Sequence, residues 1–239
     1  MHAMLQKLNE GLQKSYLELF KEDVEAVDFL KEQTKSSAKL VDLTTSASKA
    51  FNANQSRRTN ISIHLYWVND DQFRIDVGGR IDLNDDGTEV QDVTYYICVS
   101  KYDDDSSKFV VCRKFHFDYA CPSDEIKRKS NQPILHLQSP GTLPPALKKS
   151  HVIPEACCEW LETPRILFFP MSLALTVQLA FTEFPSESTR VLASEGAWLK
   201  RHVVKDERKL FPSFMAFCQA SQESKNRCIF SLAHLEKNS

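Results

Sequence analysis

Near residue 60 the spacing of apolar residues changes from that of a helix to that of a half-buried strand, and this change dictates most of what the chain can become. Before it, Leu5, Leu8, Leu12, Leu19, Phe20, Val24, Val27 and Leu30 recur at helical spacing, with Lys and Glu between them. Thr34, Lys35, Ser36 and Ser37 interrupt the pattern, and a second, Ser/Thr-rich helix is expected over 38–51. After it, Ile61, Ile63, Leu65 and Trp67 alternate with Ser62, His64 and Tyr66. Phe73, Ile75, Val77, Gly79, Ile81 and Leu83 then alternate with Arg74, Asp76, Gly78, Arg80 and Asp82, and Gly78-Gly79 points to a bulge or bend. Val93, Tyr95, Ile97 and Val99 mark a third run, and Phe109, Val111, Arg113, Phe115, Phe117 and Tyr119 a fourth.

The turn chemistry between these runs is short and polar: Asn69-Asp70-Asp71, Asn84-Asp85-Asp86-Gly87 and Asp103-Asp104-Asp105-Ser106. Sequential strands joined this way make an antiparallel meander, to which Ile134–Gln138 adds a short fifth strand after a basic loop. Pro140, Pro144 and Pro145 mark a loop. Helices are expected from Pro154 to about Leu161, from Ser172 to Phe184, from about Ser188 to His202, and through 211–222. The fold class is α+β: an antiparallel β-meander of about five strands, flanked by an N-terminal helical arm (1–52) and a helical C-terminal third (151–239). That last region is expected to pack on the sheet core (59–139).

With 42% hydrophobic and 26% charged residues the 239-residue chain is no disordered polymer, and it can bury a substantial core. The net charge of −2 gives no field to steer a polyanion, although 51–110 is acidic and 111–150 basic. Seven cysteines without a CxxC pair exclude a zinc ribbon or finger and fit reduced thiols in a cytoplasm. No signal peptide is expected, and the longest apolar stretch, around 166–181, is too interrupted to span a bilayer, so no membrane partner is expected.

Alternation puts Arg74, Asp76, Arg80 and Asp82 on one side of their strand, and Lys114, His116 and Asp118 on one side of another. His136 and Gln138 share a face nearby. His116, Asp118 and His136 are therefore candidates for metal ligation or acid–base work, or for a free-standing ligand-binding module. The ordinary alternative is a sheet face turned to water, with mixed charges as cross-strand pairs. A second reading takes Asp82 at the end of one strand with Glu89-Val90-Gln91 at the start of the next as a restriction-type nuclease site for Mg²⁺. In it Asp82, Glu89 and Gln91 carry catalysis, although Gln91 stands where a Lys is usual. Cys157-Cys158 beside Glu155 and His151 has the composition of a thiol site, with helix packing as its alternative. No GxGxxG, Walker A or GxSxG sequence is present, and no cofactor is called for. Phosphate contacts are candidates at Lys127, Arg128 and Lys129 and at Lys200 and Arg201; the alternative is solvation and complement to helix C-termini.

Three segments carry a family resemblance: 115–119 (Phe-His-Phe-Asp-Tyr), 134–138 (Ile-Leu-His-Leu-Gln), and Pro164-Arg165-Ile166 with Pro170 ahead of an apolar helix. Together they resemble a group of uncharacterised bacterial proteins that sit beside defence genes, and in particular the small third subunit of Lamassu-like systems. The resemblance covers the middle third of the chain and carries over no catalytic residue. It implies a non-enzymatic accessory subunit of a multiprotein complex. Its partners would be a structural-maintenance-of-chromosomes-type ATPase and a nuclease effector, with DNA reached through the complex.

Overall fold

The computed structural model describes residues 7–8, 10–19, 58–68, 73–120, 135–138, 143, 147–154, 166–185 and 197–223, with backbone alone over 58–68, 120, 166–167, 197–199 and 221–223. The expected helices at 38–51 and 154–161, the basic loop with Lys127, Arg128 and Lys129, and the Cys157-Cys158 pair lie outside the described residues.

Five strands follow one another in sequence and in space: β1 (Arg58–Val68), β2 (Phe73–Leu83), β3 (Val90–Asp103), β4 (Lys108–Ala120) and β5 (Leu135–Gln138), each antiparallel to the last. Two-residue strands complete the sheet. β6 (His151–Val152) runs parallel to the start of β4, and β7 (Ile166–Leu167) pairs with β5. The turn between β2 and β3 is tied by Asn84, whose side-chain oxygen accepts from the backbone N–H of Thr88 at 2.9 Å and of Glu89 at 3.0 Å. Gly87 supplies the positive φ of 75° that this turn needs.

One face of the sheet is apolar, as the alternation requires: Ile75, Val77, Ile81, Val93, Tyr95, Ile97, Phe117, Tyr119 and Leu135 all enter one buried cluster. Among the described residues three helices cover it, namely α1 (7–8 and 10–19), α2 (Leu173–Glu183) and α3 (Ala197–Glu223). α1 contributes Leu8, Leu12, Tyr16 and Leu19. Its Gln13 amide bonds both the N–H and the carbonyl of Val90 at 2.6 Å, so the helix is registered on the first residue of β3. Ser172 caps α2, accepting from Leu175 N–H at 3.2 Å and donating to the buried Asp206 of α3 at 2.5 Å. That bond fixes the rotation of α3 about its own axis.

The structure differs from the sequence reading in two places. Helices expected up to His202 and from 211 are one 27-residue helix that runs through Pro212. Pro212 is exposed, so the carbonyl left without its N–H partner faces the solvent side, and the helix-forming residues 203–210 bridge the two halves. Gly79 marks no bulge, since pairing is regular on both sides of it. A Cβ there would stand 2.3 Å from the Tyr95 ring and 2.6 Å from the Thr94 carbonyl, so glycine makes room for a buried aromatic. Gly79→Ala is accordingly expected to destabilise the fold by about 2–3 kcal/mol, the scale of core overpacking. Gly87→Ala, with open space around it, should cost only the backbone strain of about 1 kcal/mol. Chemical unfolding of the two variants checks the difference; equal losses would show that Tyr95 yields.

Candidate metal centre

The other face of the meander is largely closed to water. Antiparallel register aligns its side chains in rows: Asp76, Cys98 and Lys114; then Gly78, Tyr96, His116 and Gln138; then Arg80, Thr94, Asp118 and His136. Asp76, Cys98, Lys114, Tyr96, His116, His136 and Gln138 are all buried. The expectation of a hydrated face with charges paired on its surface is thus replaced by a closed one. The cover comes from a part of the chain that alternation cannot reveal: Leu143, Leu147 and Ile153 pack on Tyr96, Cys98 and Val111.

Closing a charged face requires a partner for each charge. Arg74 embraces Asp76 with Nε at 2.9 Å and Nη2 at 2.8 Å from its oxygens. His151 reaches Asp76 from β6, its Nε2 3.3 Å from Oδ2 in an electrostatic contact outside hydrogen-bond alignment. Phe109 lies between them, stacked on the His151 ring at 5.1 Å with the Arg74 guanidinium 4.6 Å above its centre. This cluster clamps the covering segment onto the start of β4. Lys114 is harder to satisfy: burial pushes its ammonium down to about 8, against the pull of Cys98 and Asp118. Burial likewise pushes the Cys98 thiol up to about 12.

At the far end of this face His116, Asp118 and His136 converge. His116 and Asp118, two residues apart on β4, share a side, and pairing sets His136 directly opposite Asp118. Asp118 Oδ2 lies 3.0 Å from His116 Nε2 and 3.3 Å from His136 Nε2, and one ligand atom from each residue falls within 4.8 Å of the others. Burial of Asp118 opposes its charge, but the hydrogen bonds from both imidazoles overcome it and hold the carboxyl far below the usual carboxylate range. The Asp118 side chain is 19% exposed, against 11% for His116 and 2% for His136, so the group is most open on the side of Asp118. Gln138 adds its Oε1 3.1 Å from His116 Nε2. Among the described residues His116 Nδ1 is buried and has no hydrogen-bond partner.

The remaining sequence candidates are not gathered in this way. Asp82 is buried, 3.2 Å from the Arg80 guanidinium, which also binds Asp92. Glu89 and Gln91 are exposed, and Glu89 faces Asn84 across the hairpin turn while Asp82 faces Asp92. Lys200 and Arg201 are exposed on α3, on the other side of the sheet from His116. His151 is the buried residue that the sequence did not connect to Asp76; its only local signal is a histidine in a short apolar segment ahead of Pro154. No family model, curated protein or solved structure matches the chain.

Lys114 gives this face a measurable signature. Between about 8 and the ordinary value of 10.5 the unfolded chain binds a proton that the folded chain does not, so folding stability rises with pH across that window. Lys114→Met should abolish the rise and raise stability at neutral pH by on the order of 2 kcal/mol, because it removes a buried charge and keeps the volume. Denaturation of both proteins across pH 7 to 10.5 tests this.

Proposed function

We propose that the protein is a metal-binding protein in which His116, Asp118 and His136 hold a first-row divalent ion. The observation that carries the reading is the convergence of two imidazoles and one carboxylate on a closed sheet face. Metal–nitrogen bonds of about 2.0–2.1 Å and metal–oxygen bonds of about 2.0–2.2 Å put neighbouring ligand atoms roughly 3.0–3.4 Å apart in tetrahedral or octahedral geometry. The 3.0 and 3.3 Å separations between Asp118 Oδ2 and the two ring nitrogens already have that length. An ion entering at the exposed carboxylate replaces the imidazole protons that now bond Asp118.

Two histidines and a carboxylate leave coordination positions open, the arrangement of sites that present water or a substrate oxygen to Zn²⁺ or Fe²⁺. Gln138, beside His116, is placed to orient such a ligand or the ring itself. Imidazole and carboxylate together favour zinc, iron, cobalt or nickel over calcium or magnesium, which prefer all-oxygen sites. Arg80 is ion-paired with Asp82 and Asp92, and it sets a compensated cation in the row that holds Asp118.

Titration of the metal-free full chain with Zn²⁺ and Co²⁺ should show one saturable site per chain, with a rise in thermal stability and, for Co²⁺, a visible ligand-field spectrum. His136→Ala and Asp118→Asn should each lower affinity by about 100-fold or more, and binding should weaken as pH falls because protons compete for the imidazoles. If the three residues are only a hydrogen-bonded staple between β4 and β5, the same variants lose stability without metal and no ion binds saturably. That outcome would remove the assignment.

A further inference from the structure

The first half of α3 carries a one-sided row of cations. Leu210 and Phe217 are buried in the core, and Val203, Phe211 and Phe214 pack against it, while the Ser172–Asp206 bond fixes the helix rotation. On the outward side Lys200, Arg201, Lys205 and Arg208 are exposed, with exposed Val204 among them, and they line an open depression. The two carboxylates of this stretch are turned elsewhere. Asp206 is buried against Ser172, and Glu207 lies in the groove beside Phe211 and Met215.

Helix physics does not account for the row. Lys200 sits in the first turn, which holds no acidic residue, at the positive end of the helix dipole. A cation there is unfavourable by about 0.3–1 kcal/mol. Arg201 and Lys205 stand one turn apart with like charge, a further cost of about 0.2–0.5 kcal/mol. Complement to a helix C-terminus, which explains many helical lysines, therefore does not apply to Lys200. An anion bound along the row reverses both costs.

We infer that this face docks the sugar–phosphate backbone of duplex DNA without reading its sequence. From Lys200 to Arg208 the row spans roughly 12 Å of helical rise, enough to meet several phosphates in one binding event. Arg201 and Arg208 lie two turns apart on the same side, and guanidinium groups suit bidentate phosphate contact. Among the described side chains none that lines the depression is aromatic, which favours a duplex over a single strand. Val204 is its sole apolar member, too little for a helix that inserts into a lipid surface. The net charge of −2 confines the attraction to this patch.

Fluorescence anisotropy of the full chain with a short labelled duplex, at falling salt, tests the inference. Four phosphate contacts give a plot of log K against log salt with a slope of about −3 to −4. The exposed double variant Arg201→Gln/Arg208→Gln should make that slope shallower by about 2 and weaken binding at the lowest salt at least about tenfold, with an unchanged unfolding midpoint. Absence of duplex binding at low salt, or a double variant that binds as well as the parent, overturns the inference. So does equal, arginine-dependent binding to a polyglutamate peptide or to phosphatidylserine vesicles. His136→Ala, on the opposite sheet face, should bind the duplex normally whether or not metal binding is lost.

Discussion

Burial of the charged face of the meander is the constraint on which the rest of the structure depends. A sheet with helices on one side and water on the other can leave its polar face unorganised, because solvent satisfies it. Here Leu143, Leu147 and Ile153 close part of that face, so each charge beneath needs a partner at a fixed place. Register supplies those places. The row containing Asp118 and His136 and the row containing His116 and Gln138 exist because β4 and β5 pair at those residues. A slip of one residue would turn His136 and Gln138 into the apolar cluster and Leu135 and Leu137 out of it. The site and the core therefore enforce the same alignment of β5, a strand of four residues that β7 pairs on its other edge.

The meander was legible because strand alternation and hairpin chemistry are local. Phe115, Phe117 and Tyr119 could be placed opposite His116 and Asp118 from spacing alone, and the structure places them so. Closure of the polar face was not legible, since it depends on Leu143, Leu147 and His151 meeting Tyr96, Cys98 and Asp76 across long sequence separations. The pairing of Asp82 with Glu89 shows the opposite failure. The two are near in sequence because a tight turn joins their strands, and the acids and amide of that turn serve its own hydrogen bonds: Asn84 holds Thr88 and Glu89, and Asp86 accepts from Thr88. Turn composition imitates a catalytic motif whenever acidic residues flank a hairpin.

Titration behaviour separates the two halves of the buried face. Lys114 is held at a cost, with burial lowering its affinity for a proton, as expected of a charge retained where hydrophobic volume would serve. Asp118 is the reverse case, since burial opposes its charge but the two imidazoles more than compensate. A carboxylate kept ionised by two ring nitrogens, open to solvent on one side, is prepared for a cation in a way that the fully enclosed Asp76 is not. Arg74 and His151 already surround Asp76, and it has no exposed edge. Similar residue types thus give a structural clamp at one end of the face and a candidate ligand set at the other, and the difference lies in access.

The N-terminal helix bears on where a partner can bind. Its apolar residues invite the idea of an arm that projects to another chain, but Leu8, Leu12, Tyr16 and Leu19 are buried in the chain's own core. Three polar contacts reinforce that placement: Gln13 on Val90, Ser15 Oγ donating to the Lys209 carbonyl at 2.7 Å, and Tyr16 OH donating to the Met171 carbonyl at 3.0 Å. Gly11 lies against Ser213, where even a methyl group would collide with the serine oxygen at 2.0 Å, so α1 and α3 approach as closely as their backbones allow. α1 is thereby a wall of the core that touches β3, α3 and the segment before α2 together. By holding α3 from beneath it turns the Lys200–Arg208 row outward, so the N-terminal helix belongs to the core and helps decide which face of α3 is exposed.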